Sequence, residues 1–144
     1  MVILFLFNVG LVYKVAGELN DSPTVMALDT SVDFGKFNDQ EMIAAKWIGA
    51  NASGGIIAAD DFRYYAVYTF DPGQAAMLPS GGSWANLAPG SYIYLGTPNV
   101  QTGKLVVGLS TITSLPTELD ARYYVGGSSN IYSNGYAQVY RVNG

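Results

Sequence analysis

Apolar and polar positions along the chain fall into blocks of different period. Residues 1–13, "MVILFLFNVGLVY", are apolar almost throughout, with one Asn and no charged side chain. As a helix this run is roughly 20 Å long at ~1.5 Å per residue, short of the ~30 Å hydrocarbon core of a bilayer. Three readings fit it. A signal peptide would need a basic start, and only the terminal amine precedes the run, although a cleavage-like Val15-Ala16-Gly17 follows. A buried core strand or helix would be equally apolar. The outer end of a transmembrane helix would place Tyr13 and Lys14 at the interface, where the chain turns polar at "GELNDSP".

Beyond Pro23 the periods shorten. "TVMALD" has the length of a buried strand. "VDFGKFNDQEMIAAKWIGANASGG" predicts a helix: Asn38 with Glu41 is a capping-box start, and Met42, Ile43, Ala45, Trp47 and Ile48 form the apolar face. Gly49 and "NASGG" predict its end. "GGIIAADD" is a buried-type strand closing on Asp60 and Asp61, whereas "DFRYYAVYTF" fits helix and strand equally. Residues 71–90 predict a long loop with a helical turn at Gln74–Leu78. "SYIYLG" predicts a strand with Ile93 and Leu95 on one face and Tyr92 and Tyr94 on the other. "TGKLVVGLSTI" predicts another. The closing "NIYSNGYAQVYRVNG" predicts a hairpin, with Asn134-Gly135 in a type I′ turn. The fold class is therefore α/β: a small, mostly parallel sheet with flanking helices and a C-terminal hairpin, preceded by an apolar N-terminal segment.

Composition narrows the chemistry. With 144 residues, 49% hydrophobic and only 12% charged, the chain suits one domain with a substantial core. The net charge is −4 and the seven basic residues are scattered singly, so nothing gathers to neutralise phosphates, and nucleic acid is not an expected partner. The chain has no Cys and no His. Disulfides, thiolate sites, Ser-His-Asp triads and ordinary zinc sites are thereby excluded, while the redox compartment stays open.

Four features carry candidate chemistry. Asp60 and Asp61 lie at the carboxyl end of a strand, where open α/β sheets bind ligands, and two carboxylates suit a hard divalent cation such as Mg²⁺ or Ca²⁺. Without a third ligand the pair is an incomplete cation site, and the bland alternative is that one of them caps the next helix. Eleven tyrosines fall in clusters, and Tyr92 and Tyr94 together with Trp84 are candidates for stacking on sugar rings or meeting a protein; strand propensity explains them equally. Asn51-Ala52-Ser53 and Asn20-Asp21-Ser22 match the glycosylation tripeptide, the second weakened by Pro23. The runs "NASGG", "LPSGGS" and "VGGSSN" are turns, since none is a phosphate-binding motif.

Taken in order, "FLFNVGLVYKVAGE", "FNDQEMIAAKWI", "IIAADD", "SYIYLGTPNVQTGKL" and "NIYSNGYAQVYR" resemble the C-terminal end of archaeal multi-pass membrane proteins of the glycosyltransferase-like, type C kind. The resemblance implies that residues 1–16 are the end of a transmembrane helix or an apolar leader, and that residues 17–144 are a single extracytoplasmic α/β domain anchored to the membrane. In type C glycosyltransferases the catalytic carboxylate sits near the first membrane helices, so the resemblance carries no catalytic residue and no cofactor onto this chain. It implies a non-catalytic accessory domain that binds or positions a glycan, a lipid-linked sugar or an acceptor. The alternative is a secreted or cell-surface structural subunit that self-assembles by donating its apolar N-terminal segment to a neighbour's sheet edge.

Overall fold

The structure is a computed structural model and describes residues 36–78, 87–107 and 117–144. In chain order the elements are α1 (Asp39–Asn51), β1 (Ile57–Ala59), α2 (Tyr64–Phe70), β2 (Ala75–Met77), β3 (Tyr92–Leu95), α3 (Thr97–Thr102), β4 (Lys104–Val107), β5 (Thr117–Asp120), α4 (Ala121–Val125), β6 (Ser128–Ser133) and β7 (Gln138–Val142). Residues Phe37–Gly144 form one compact unit. The apolar opening run, the expected boundary at Gly17 and the strand expected at 24–29 lie outside the described residues.

Five strands make one sheet in the order β2-β1-β3-β7-β6. The three strands β2, β1 and β3 run parallel, whereas β7 pairs antiparallel with both β3 and β6. The sheet is thus mixed and not mostly parallel as its strand–helix alternation suggested. The terminal hairpin does not stand apart but adds to the open edge of β3, which makes two of the four pairings antiparallel.

Alternation along the central strands explains why every residue of β3 is buried. Tyr92 and Tyr94 join Ile57, Ala59 and Val139 on one face, packed under Ala44, Ala45 and Ile48 of α1 and Ala66 and Val67 of α2. Ile93 and Leu95 join Ala58 on the other face, covered by Leu105 and Val107 of β4 and by Ala121 and Tyr124 of α4. β4 and β5 pair with each other as a separate two-stranded sheet. A strand covered on both faces reads as continuously apolar, and helices or a second sheet must supply the cover.

Helix α1 starts as its sequence predicts. The Asn38 side chain accepts the Glu41 backbone N–H at 2.9 Å, and the Glu41 carboxylate accepts the Asn38 N–H at 3.0 Å. The helix runs past Gly49 and ends at Asn51, the first residue of the expected "NASGG" terminator. Gly49 serves close packing instead, because a Cβ there would lie 3.1 Å from the Phe70 Cβ of α2. The buried side is Glu41, Ala44, Ala45 and Ile48, while Ile43, expected on the apolar face, is exposed.

Two further expectations are revised and one open choice is resolved. Gln74–Leu78 is not a helical turn: Ala75–Met77 pairs in parallel with β1, which satisfies its backbone in the sheet. The stretch that fitted helix or strand equally is a helix at 64–70. In the terminal hairpin Gly135 has φ +85, but Asn134 does not adopt positive φ, so the turn is not type I′. Ser133 pairs with Gln138, and the Asn134 carboxamide oxygen accepts the N–H groups of Tyr136 and Ala137 at 3.1 and 2.8 Å. That wider loop holds its backbone with a side chain.

Candidate functional site

The carboxyl ends of β1 and β3 lie side by side, and there the chain gathers five of its buried polar groups: Glu41, Asp60, Asp61, Arg63 and Asn99 are all 5% exposed or less. Each arrives for a local reason. Asp60 follows β1, and its Oδ1 accepts the Arg63 N–H at 2.8 Å, closing the turn that leads into α2. Gly96 follows β3, and its N–H donates to Oδ1 of Asn99 at 2.9 Å, opening α3 with Pro98 in the first turn. Glu41 stands in the first turn of α1.

Asn99 is the junction of one half. Its Nδ2 donates to Oδ2 of Asp60 at 2.6 Å and to the Lys104 carbonyl at 2.9 Å, which ties β1, α3 and β4 together. Glu41 is the junction of the other half. Its Oε1 accepts the Thr97 N–H at 2.8 Å and pairs with Nε of Arg63 at 2.7 Å, while Oε2 closes the capping box. The Arg63 guanidinium also lies 5.4 Å from the centroid of the Phe37 ring, a cation–π distance. The Tyr94 hydroxyl donates to the Glu41 carbonyl at 2.8 Å. Burial, and next the Glu41 charge, push the Tyr94 phenol well above its ordinary range and keep it neutral.

Any side chain at Gly96 would force the ion pair to shift. A Cβ on it would run into Oε1 of Glu41 and would stand 2.6 Å from Nε of Arg63. The glycine is what lets the β3–α3 turn approach the ion pair.

Chemically, this cluster is a brace. Both Asp60 oxygens accept protein N–H groups, Oδ1 from Arg63 in the turn before α2 and Oδ2 from Asn99, while the N-cap position of α2 is Arg63 and carries no side-chain cap bond. Among the described residues no group of three or more His, Cys, Asp or Glu stands where it would hold a metal ion. Asp61 is buried beside Asp60, with its backbone N–H donating to the Val106 carbonyl at 3.1 Å. A hollow of about 310 Å³ opens at the opposite end of β3, lined by Leu87, Pro89, Ile93, Tyr124, Val142 and Asn143, and brings no carboxylate or amine with it.

The tyrosines divide sharply. Tyr92 and Tyr94 are buried under α1, which leaves neither ring open for stacking on a ligand; the Tyr92 hydroxyl accepts the Ser53 N–H at 3.4 Å. Trp84 and Asn20 lie outside the described residues. The open aromatic surface is elsewhere. On α2, Tyr65 and Tyr68 are about half exposed, Tyr64 touches both rings at 5.3 and 5.4 Å, and the outward side from Tyr64 to Phe70 holds no charge. Tyr123 and Tyr136 are exposed singly. Asn51 is exposed at the end of α1, its Nδ2 donating to the Trp47 carbonyl at 2.8 Å.

Arg63, Gly96 and Asn99 went unnoticed in the sequence. For Asn99 a signal existed: Gly96, Pro98 and Asn99 after a strand make a helix-start pattern. For Arg63 there was none, because only the packing of α1 against the β1–α2 turn brings Glu41 to it.

Among the described residues no helix is long and apolar enough to cross a membrane. No curated protein and no solved structure matches the chain. One family does, over residues 1–140: the chain belongs to the DUF2206 family of predicted membrane proteins.

Proposed function

We propose that this protein forms a non-catalytic, extracytoplasmic accessory domain of a membrane glycosyltransferase-like protein, where it binds or positions a glycan, a lipid-linked sugar or an acceptor. Membership in a family of predicted membrane proteins supports the membrane setting. The state of two buried acids speaks against Glu41 and Asp60 in particular as a general acid or base. Glu41 and Asp60 are sealed and committed to internal donors, whereas a general acid or base must reach the proton it moves.

The observation that carries the binding role is the outward side of α2. An exposed helix side normally carries charge, and this one presents Tyr64, Tyr65 and Tyr68 without any. Tyrosine rings join apolar area to a hydroxyl, the combination that stacks on sugar rings and hydrogen-bonds their edges.

The test is titration of the full chain in detergent with a panel of oligosaccharides and a polyprenyl-phosphate sugar, read by calorimetry. Binding by the native chain that weakens tenfold or more in Tyr65→Ala/Tyr68→Ala, with the circular dichroism unchanged, bears the proposal out. No binding by the native chain, or equal binding by the variant, overturns it.

A further inference from the structure

We propose that Asn51 is an N-glycosylation site, receiving a glycan on its side-chain amide from a lipid-phosphate-linked donor. The tripeptide Asn51-Ala52-Ser53 straddles the end of α1. Asn51 is the last helical residue, and Ala52 turns to an extended conformation with φ −65 and ψ 128. The chain therefore leaves the helix between the acceptor and the hydroxyl residue. Asn51, Ser53 and Gly54 are all exposed.

Space and charge both favour the site. Gly54 takes φ +75, and a Cβ built on it would meet nothing within 4 Å, so open volume lies beside the tripeptide. The loop is anchored just beyond, where a Cβ at Gly55 would stand 3.0 Å from the Ser91 Cα. From Trp47 to Ala59 no side chain is charged. Among the described residues the Asn51 amide donates to the Trp47 carbonyl one turn back, an exposed bond that water replaces at little cost.

In the transfer, Nδ2 of Asn51 forms a bond to the anomeric carbon of the donor. The bond from that carbon to the phosphate oxygen breaks, the lipid phosphate leaves with the electron pair, and the amide proton passes to a base of the transferring enzyme. The Ser53 hydroxyl completes the recognised tripeptide. The inference rests on the extracytoplasmic placement proposed above.

The experiment separates the two. The full chain is purified from membranes of its own host and digested with trypsin. Lys46 and Arg63 bound a peptide, residues 47–63, that holds Asn51 and excludes Asn20. The expected result is a glycan mass on this peptide, lost in Asn51→Gln and in Ser53→Ala and retained in Ser53→Thr. In parallel, Arg122→Cys supplies a lone thiol, since the native chain has no Cys and Arg122 is exposed. A membrane-impermeant maleimide then reports its side of the membrane in intact cells. Labelling with an unmodified 47–63 peptide overturns the glycosylation site alone. Failure to label until the cells are lysed overturns the external placement and the site with it.

Discussion

Nε of Arg63 stands 2.7 Å from Oε1 of Glu41, with both side chains almost wholly sealed from solvent. The pair fastens the first turn of α1 to the turn between β1 and α2. The same Glu41 oxygen takes the Thr97 N–H, so the start of α3 is fixed by it too. Three segments distant in sequence thus converge on one carboxylate.

Breaking the pair from one side should be costly. Glu41→Gln removes a buried counter-charge 2.7 Å from Nε of Arg63, and taking one partner out of a buried pair destabilises by about 3–5 kcal/mol. The double variant Glu41→Gln/Arg63→Met should lose less than the sum of its single variants, because the two side chains are in direct contact and either single change already forfeits their interaction. Urea unfolding followed by circular dichroism measures both; additive losses would contradict the coupling.

Gly96 and Gly54 should respond differently to alanine. At Gly96 the added methyl meets Glu41 and Arg63, and overpacking of this kind costs about 1–3 kcal/mol. At Gly54 the space is open and only the positive φ opposes the change, with a cost of about 1 kcal/mol. Thermal unfolding should place Gly96→Ala below Gly54→Ala. The reverse order would show that the β3–α3 turn relaxes away from the ion pair.

Alkaline stability should depend on Tyr94. Its phenol is raised in the folded state, by burial first and the Glu41 charge second, so the folded protein holds the proton more tightly than the unfolded chain does. That contribution is complete below the unfolded value of about 10 and is lost as pH rises beyond it, because the unfolded state then ionises and is favoured. Tyr94→Phe should lose about 1 kcal/mol at neutral pH with the hydrogen bond to the Glu41 carbonyl, and should decline less steeply above pH ~10. Urea midpoints between neutral and strongly alkaline pH give the two slopes; parallel slopes would remove Tyr94 from the account.

The α2 tyrosines should be nearly silent in stability. Tyr65 and Tyr68 point outward, and surface substitutions away from packed features change stability by about ±0.5 kcal/mol each. Tyr65→Ala and Tyr68→Ala should therefore unfold close to the native midpoint, while Tyr94→Ala, at 0% exposure, should fall by about 3–5 kcal/mol as large core deletions do. A large loss at Tyr65 would mean that its ring holds the fold and does not serve as a contact surface.

Local chemistry alone decided several elements of this protein. Asn38 and Glu41 start α1 because both capping groups lie within three residues, and Tyr92–Leu95 is a strand with two distinct faces because side chains alternate. Tertiary structure decided the rest. Ala75–Met77 becomes a strand only because β1 offers its backbone partners, and the sheet becomes mixed only because β7 finds the free edge of β3. Tyr94 looks like a surface aromatic until α1 covers it, and only the fold brings Asn99 and the Arg63 N–H onto the Asp60 carboxylate. Capping and alternation act between near neighbours and are written in short stretches. Sheet edges, covered faces and buried ion pairs depend on which distant segments meet, and that is settled by burying the whole core at once.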